Sequence, residues 1–439
     1  MNRKRLLFAW FLTASVMVSA QEMITVTIEN KSDLELMAQP VVIDLTEGSL
    51  PRITSAIVHL SGLQASPSEQ QEEVPCQLDD LDGDQRLDEL CFLTDLKPRE
   101  KQTFTVSLNT MKAPRSYEPQ VYAEMLLKNK DIKEENKQNL YISSLTVENG
   151  TNPYWQLHHH GPAFENKLVA YRIYFDHRQT VDIYGKYHQG LELRDTQFYP
   201  DSLQKASGYG DDVLWVGSTL GLGTLRGWNG QEPVMLEDVA RRTLRILAKG
   251  PLRTIIEVVD EGWNAPRPST LRSASPLATN GTQEPPHSTI TATTRYTLYA
   301  GRRDCMVEVR FDRPADGYQF CTGIINVKNS VEFTDHEGLR GCWGTDWPVS
   351  AKDSAGHKRE TVGLGICIPR KYLADELPKD KRNYPFVVST PDCEMHYAIS
   401  FSSDNEDFGY HSAAHWFAWL QEWKRRLGAE VSVLVAPKR

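Results

Sequence analysis

The 439-residue sequence has few cysteines, and none of them forms a CxxC pair or a cluster with histidine at the spacing of a zinc site. Seven cysteines exclude a dense disulfide scaffold but allow one or two bridges. Basic residues are also in deficit, because 49 Lys and Arg face 58 Asp and Glu, for a formal net charge of −9. This balance argues against a nucleic-acid partner, since such binding needs a basic surface. A local pocket of arginine and histidine can still bind an anionic sugar.

Long hydrophobic runs are absent after the first twenty residues. A basic start, an apolar run from Leu6 to Val18 and a small-residue site ending at Ala20 predict a signal peptide over residues 1–20. The apolar run is too short to span a bilayer, which needs about 20 residues. The next residue, Gln21, is not the cysteine of a lipoprotein. We therefore expect a periplasmic or secreted protein with no membrane anchor, whose oligomeric state the sequence leaves open.

Motifs of two large enzyme classes are missing as well. The chain has no G-x-S-x-G element of a serine hydrolase, and no Walker loop or dinucleotide fingerprint of a nucleotide enzyme. The sequence therefore predicts no required cofactor.

Short period-two runs dominate the chain and predict a mainly all-β fold. Between Ile24 and Leu108 they predict an N-terminal β-sandwich over residues 21–115. Beyond it, alternation recurs and predicts a large antiparallel sandwich over residues 116–439 rather than an α/β domain. The recurring segments are Leu168–Phe175, Thr180–Tyr184, Thr243–Leu247, Thr254–Val259, Thr291–Tyr299, Met306–Phe311 and Tyr397–Phe401. A helix is predicted for Ser412–Leu427. A polar surface connection is predicted for Lys112–Gly150, with a helix over Glu124–Asn139.

An acidic loop carries the best candidate metal ligands. Carboxylates stand at its positions 1, 3, 5 and 9, an oxygen-rich spacing that suits Ca²⁺. These ligands are Asp80, Asp82, Asp84 and Asp88. Position 6, where an EF-hand has glycine, is Gln85, and position 12 is Cys91 instead of glutamate. The two interpretations are a structural Ca²⁺ site and a solvated hairpin tip.

Two cysteines flank this acidic loop. A turn centred near Asp84 predicts that Cys76 and Cys91 lie on adjacent antiparallel strands. A disulfide between them would stabilise the fold by about 3 kcal/mol.

The most unusual segment runs from Trp155 to Glu165 and contains His158, His159 and His160 in succession. On a strand, alternation would send His158 and His160 to one face and His159 to the other, so at most two would share a site. One interpretation is a set of hydrogen-bonded histidines at a sheet edge. The other is catalysis or ligand binding, because imidazole titrates near neutral pH and Glu165 can orient it.

Further clusters combine tyrosine, histidine, aspartate and tryptophan. Such residues suit sugar recognition, because their polar groups hydrogen-bond the sugar hydroxyls and their aromatic rings stack on the apolar face of the sugar ring. The residues of these clusters are Tyr187, His188, Tyr209, Asp211, Asp212, Trp215, Tyr410 and His411. Arg172, Arg194 and Arg226 are candidates to grip a uronate carboxylate.

The segments Asp79–Leu93, Asn152–Asp195 and Gly208–Gly230, with the β-rich N-terminal region, resemble the family called domain of unknown function 4861. The resemblance covers most of the mature chain, and the HHHGPAFE segment is its most specific part. It implies a role in bacterial breakdown of plant and algal polysaccharides. It also implies a galactose mutarotase-like β-supersandwich, an architecture that some uronate lyases and oligosaccharide dehydratases share.

The leading functional hypothesis is elimination on uronate-containing oligosaccharides. His159 or His160 would be the base or the neutralising group, Tyr209 the acid or base, and Arg172 the carboxylate clamp. We expect one of the two histidines, Glu165, Tyr209 and Asp211 to converge on an open concave face. Substrate would contact His158, Arg172, Tyr187, His188, Asp212, Trp215, Tyr410 and His411. The alternatives are a sugar epimerase or mutarotase, and a carbohydrate-binding protein without catalysis.

Overall fold

A computed structural model describes residues 21–46, 52–61, 72–129, 140–268, 289–315 and 317–437. The N-terminal part contributes β1 (Gln21–Asn30), β2 (Leu36–Asp44), β3 (Ser55–Leu60), β4 (Glu73–Val74), β5 (Cys76–Asp79), β6 (Glu89–Leu96) and β7 (Lys101–Asn109). The middle of the chain contributes β8 (Val121–Glu124), β9 (Leu126–Leu127), β10 (Leu140–Tyr141), β11 (Ser144–Glu148), β12 (Ala163–Asn166), β13 (Ala170–Ile173), β14 (Val181–Gly185), α1 (Leu193–Thr196), α2 (Ser202–Ala206), β15 (Asp211–Asp212), β16 (Arg226–Trp228) and β17 (Pro233–Val234). The remainder contributes β18 (Arg241–Lys249), β19 (Arg253–Trp263), β20 (Ile290–Tyr299), β21 (Asp304–Phe311), β22 (Phe320–Ile325), β23 (Val331–Thr334), β24 (Leu339–Asp346), β25 (Glu360–Cys367), β26 (Leu373–Glu376), β27 (Asn383–Val388), β28 (Glu394–Ser403), α3 (Ala413–Leu427) and β29 (Val431–Pro437).

The N-terminal region forms a sandwich of two antiparallel sheets. One sheet has the order β29-β1-β7-β3-β4 and the other β2-β6-β5. Alternate residues such as Val26, Val41, Phe92 and Val106 point between the sheets and are fully buried. The last strand, β29, pairs with β1, so the end of the described chain returns to this first sheet.

The larger region packs two five-stranded sheets against one nine-stranded sheet. The nine-stranded sheet has the order β11-β18-β19-β20-β21-β28-β25-β24-β23. The others are β15-β14-β13-β12-β8, which we call the small polar sheet, and β17-β16-β22-β27-β26. One apolar core joins them, with Tyr171 and Ile183 from the small polar sheet beside Val307 and Phe401 from the nine-stranded sheet. The predicted all-β class is confirmed, because strands account for 47% of the structure and helices for only 9%.

Helix α3 covers the outer face of the nine-stranded sheet, where the sequence predicted a helix. Ser412 caps it, since its Oγ accepts the His415 backbone N–H at 3.3 Å. Leu420 reaches the backbone of β24 and β25 because glycines line its path. A Cβ built on Gly365 would lie 2.3 Å from a Leu420 methyl carbon, so a larger residue there would displace the Leu420 side chain.

A buried arginine joins the N-terminal sandwich to the larger region. Arg253 is 2% exposed and its Nε donates to Asp79 Oδ2 at 2.8 Å, while its Nη2 donates to Glu89 at 2.7 Å. The Gln77 side chain accepts the backbone N–H of Leu252 at 2.7 Å. The junction is therefore polar and fully hydrogen-bonded where these groups meet.

The predicted disulfide is wrong, although the predicted strand pairing is confirmed. β5 and β6 are adjacent and antiparallel, but Cys76 lies opposite Phe92, and Cys91 lies opposite Gln77. This one-residue offset sends the two side chains to opposite faces of the sheet, because side chains alternate along a strand. Both cysteines are free and buried.

Two further sequence predictions have separate outcomes. The helix expected to begin at Glu124 is wrong where the structure describes it, because Val121–Glu124 and Leu126–Leu127 are strands and residues 130–139 lie outside the described ranges. The predicted signal peptide over residues 1–20 also lies outside those ranges and stays a prediction. No helix among the described residues is long and apolar enough to cross a membrane.

Candidate functional site

The small polar sheet carries charged residues on one face and apolar residues on the other. Cross-strand pairing aligns Glu124, Ala163, Arg172 and Asp182 in one row. The next row on the same face holds Tyr122, Glu165, Ala170, Tyr184 and Asp212. The opposite face supplies apolar residues to the core. Alternation along five short strands therefore gathers carboxylates and a guanidinium that are distant in sequence.

Arg172 is the centre of the charged face. Its Nη2 donates to Asp182 Oδ2 at 2.6 Å, to Asp212 Oδ2 at 2.7 Å and to the Tyr174 hydroxyl at 3.2 Å. Its Nη1 donates to the Tyr199 hydroxyl at 2.5 Å. The side chain is buried and already satisfied by protein groups, so it orients Asp212 instead of gripping a substrate carboxylate as the sequence suggested.

The three histidines form a tight 3-10 turn rather than the strand considered from the sequence. His159 and His160 have left-handed backbones, with φ of 36° and 67°. Such conformations are costly for residues other than glycine and persist where neighbouring structure enforces them. The enforcement comes from β13 and its extension, because Phe175 N–H donates to the His160 carbonyl at 2.9 Å. Gly161 allows this approach, since a Cβ there would lie 1.9 Å from the Ile173 carbonyl oxygen.

His160 lies at the rim of the charged face within an aromatic cage. Its ring stacks on Tyr154 with centroids 3.7 Å apart, and the rings of Trp155 and Tyr174 meet its edges at 5.2 and 6.1 Å. Nδ1 lies 3.0 Å from the Tyr154 carbonyl oxygen, which can only accept, so Nδ1 carries the proton and Nε2 presents a lone pair. Among the described residues, none hydrogen-bonds Nε2.

The charge of His160 is fixed by its surroundings. Burial is the main reason that the pKa of His160 falls to about 3, and the positive charges of Arg172 and Lys128 act in the same direction. The imidazole is therefore neutral near pH 7. An anion bound beside it would offset those positive charges and strengthen it as a base.

Asp212 is the charged residue of this face that solvent still reaches. Its side chain is 13% exposed, whereas that of Asp182 is fully buried. Burial raises the pKa of the Asp212 carboxyl well above its ordinary value, although Arg172 opposes the shift. Tyr174 connects the Arg172 cluster to His160, because its hydroxyl accepts a hydrogen bond from Arg172 and its ring contacts the His160 ring. We call His160, Tyr154, Tyr174, Arg172, Asp182 and Asp212 the candidate site.

His159 points away from the rim into the protein. Its Nε2 donates to Glu124 Oε1 at 3.2 Å, and both side chains are fully buried. The Tyr122 hydroxyl donates to the other Glu124 oxygen at 2.7 Å. His159 therefore anchors the turn that presents His160. His158 is also buried.

Glu165 shares the polar face but is sealed from solvent. Its Oε2 lies 2.5 Å from Lys186 Nζ, and both side chains are fully buried. Its Oε1 accepts the backbone N–H groups of Glu192 and Leu193 at 2.8 and 2.7 Å, which fixes the start of α1. The contacts of Glu165 are those of a structural ion pair.

Tyr209 and Asp211 lie at the solvent edge of the sheet and do not join His160. The Tyr209 hydroxyl donates to Asp195 at 3.1 Å, and Asp211 pairs with Lys205. The structure therefore does not bring one histidine, Glu165, Tyr209 and Asp211 together on one open face, as the sequence predicted. Near His160 it places Arg172 and Asp212 instead, with phenols from Tyr174 and Tyr199.

The other predicted contact residues are dispersed. The Tyr187 hydroxyl accepts from Lys358 at 3.2 Å, and His188 pairs with Asp407 at 2.7 Å. His411 contacts Asp404.

Trp215 follows Asp212 by three residues and is 51% exposed, whereas Tyr410 packs against Trp416 and Trp419. Arg226 is buried, and Arg194 lies 5.0 Å over the Tyr122 ring.

The acidic loop brings three of its four predicted ligands together. Oxygen atoms of Asp80, Asp82 and Asp88 lie within 4.8 Å of one another. Asp84 instead accepts the Arg86 backbone N–H at 2.7 Å. Each of Asp80, Asp82 and Asp88 accepts a hydrogen bond from a backbone N–H group of the loop, so these carboxylates stabilise the turn without an ion. A Ca²⁺ site stays a prediction.

Sequence reasoning missed Tyr154, Tyr174, Tyr199, Asp182 and Arg178. Arg178 stacks on Tyr154 and Tyr174 at 4.5 and 5.0 Å, and Asp176 holds it in place at 2.8 Å. Alternation within Leu168–Phe175 contained the signal for Tyr174, because Arg172 and Tyr174 point to one face.

Two solved structures from Enterococcus faecalis are similar to this chain. They are a protein in the glycosyl hydrolase family 38, with 10% identity and a TM-score of 0.45, and an alpha-mannosidase, with 9% identity and a TM-score of 0.42. Each similarity covers 95% of this chain but 48% and 46% of those proteins, so the chain spans about half their length.

No curated protein sequence matches the chain. Residues 28–433 match the family described as a domain of unknown function, DUF4861. Because that match spans almost the whole sequence, the chain belongs to the DUF4861 family.

Proposed function

We propose that this protein is carbohydrate-active and that its candidate site catalyses elimination on uronate-containing oligosaccharides. The observation that carries the proposal is the neutral imidazole of His160, whose free Nε2 lies among aromatic rings and positive charges. Aromatic faces suit the apolar side of a sugar ring, and the positive charges of Arg178 and Lys128 suit its carboxylate. Trp155, 72% exposed beside His160, extends the platform.

The proposed reaction needs one base and one acid. His160 Nε2 takes the proton α to the uronate carboxylate, and the electron pair forms a carbon–carbon double bond as the bond to the β oxygen breaks. Asp212, whose raised pKa favours a protonated carboxyl, gives its proton to that leaving oxygen. No oxidation occurs, and solvent returns both groups to their starting states.

The proposal extends to the superfamily and the location of the protein. The packing of two five-stranded sheets against a nine-stranded sheet supports membership of the galactose mutarotase-like superfamily. A periplasmic or secreted location is consistent with an oligosaccharide substrate.

The test is to incubate the protein with uronate oligosaccharides in D₂O. Elimination predicts a rise in the ultraviolet absorbance of an unsaturated uronate, and no rise with carboxyl-reduced oligosaccharides. Deuterium incorporated at the carbon beside the carboxylate without unsaturated product would instead identify an epimerase. Binding without either change would identify a carbohydrate-binding protein.

A further inference from the structure

A cavity of about 260 Å³ lies where the N-terminal sandwich meets the larger region, and it shares no lining residue with the candidate site. We call it the junction cavity. Its walls include Met37 and Gln39 from β2, Arg303 from the turn before β21, and Tyr410, Trp419 and Arg426 from the segment around α3. A second cavity of about 230 Å³ lies nearby and shares Gly301 in its lining.

The aromatic wall of the junction cavity is rigid. Trp419 is held between Trp416, with ring centroids 5.0 Å apart and planes 14° apart, and Trp423, at 5.5 Å and 10°. The Trp423 indole N–H donates to Asp304 at 3.1 Å, which fixes the end of the stack. Both faces of the Trp419 ring are therefore covered, and its edge forms a preorganised apolar wall that a ligand meets without an entropic cost of ordering.

Two arginines give the cavity its anion-binding groups. Arg303 Nη1 bonds Glu406 at 2.7 Å and the Phe401 carbonyl at 3.2 Å, and among the described residues none bonds its Nε or Nη2. Arg426 is 44% exposed and its pair with Glu422, at 3.3 Å, is a solvent-exposed one. Such a pair is weak, so Arg426 can turn to a ligand at little cost.

We propose that the junction cavity binds one uronate unit of a saccharide. The ring packs against the edge of Trp419, the carboxylate pairs with Arg303 and Arg426, and the amides of Gln39 and Gln189 bond the hydroxyls. A cavity of this size admits one sugar ring rather than a chain. The proposal takes its sugar chemistry from the proposed function but requires no turnover at His160.

The experiment titrates glucuronate and glucose separately into the full-length protein and follows tryptophan fluorescence and heat. We expect saturable binding of glucuronate and about tenfold weaker binding of glucose, because only glucuronate pairs with the arginines. Arg426→Ala should weaken glucuronate binding about tenfold, whereas Arg425→Ala should change it less than about twofold. The two arginines are neighbours and both contact Glu422, but only Arg426 lines the cavity.

Two further variants separate this site from the candidate site. Trp419→Leu should abolish the fluorescence change, and His160→Asn should retain glucuronate binding at the junction. Equal affinity for glucose and glucuronate, or no saturable binding, would overturn the proposal. Binding lost in His160→Asn but kept in Arg426→Ala would also overturn it, by placing the ligand at the candidate site.

Discussion

Removal of one charge from the Glu165–Lys186 pair should cost much of the stability of the protein. Glu165→Ala leaves a fully buried ammonium without its counter-charge, which costs about 3–5 kcal/mol. It also leaves the N–H groups of Glu192 and Leu193 without an acceptor, at about 1–3 kcal/mol each. Glu165→Gln keeps an oxygen for those two donors, so we expect about 3–5 kcal/mol for Gln and a larger loss for Ala.

Urea unfolding followed by tryptophan fluorescence measures this loss. The matched control adds Lys186→Met to Glu165→Gln, which removes the uncompensated charge and should restore most of the free energy of unfolding. The reasoning fails if Glu165→Gln unfolds within about 1 kcal/mol of the wild type. A stable Glu165→Gln protein without turnover would return Glu165 to the catalytic role that the sequence suggested.

Three other perturbations follow from the structure. Arg253→Ala leaves Asp79 buried without its counter-charge and should lower the free energy of unfolding by about 3–5 kcal/mol; an unchanged urea midpoint would contradict this. The pKa of His160 is about 3 in the folded protein and 6.5 in the unfolded chain, so between these values only the unfolded chain binds the proton. His160 therefore lowers the free energy of unfolding as the pH falls below 6.5, by about 2 kcal/mol at pH 5. His160→Asn should remove that part of the acid destabilisation, and an identical loss between pH 7 and pH 5 in both proteins would refute it. Cys76 and Cys91 are free, so a reductant should leave the melting temperature unchanged, whereas a drop of several degrees would reveal a bridge.

Period-two alternation was enough to predict the fold class, because strands with one buried face must alternate. In β20, for example, buried and half-buried residues alternate from Ile290 to Leu298. The same logic placed Cys76 and Cys91 on paired strands. It failed for the disulfide because the actual register differs by one residue from the register that would pair the two cysteines. A shift of one residue sends a side chain to the opposite face of the sheet.

The candidate site was predictable only in part. The sequence singled out His160, Arg172 and Asp212, but periodicity could not show that His159 and His160 adopt left-handed backbones in a turn. It also could not show that Lys186 neutralises Glu165, because Lys186 follows β14 and Glu165 lies in β12, two strands away in the sheet.

The most direct test of the account compares His160→Asn with His159→Asn in turnover of uronate oligosaccharides. Asparagine tolerates the left-handed backbone at both positions, so the substitutions are matched. We predict that His160→Asn lowers kcat/KM by about 10² or more while its free energy of unfolding at pH 7 stays within about 1 kcal/mol of the wild type. His159→Asn should instead lose stability, since it breaks the buried contact with Glu124. Full turnover in His160→Asn would contradict the assignment of His160 as the base.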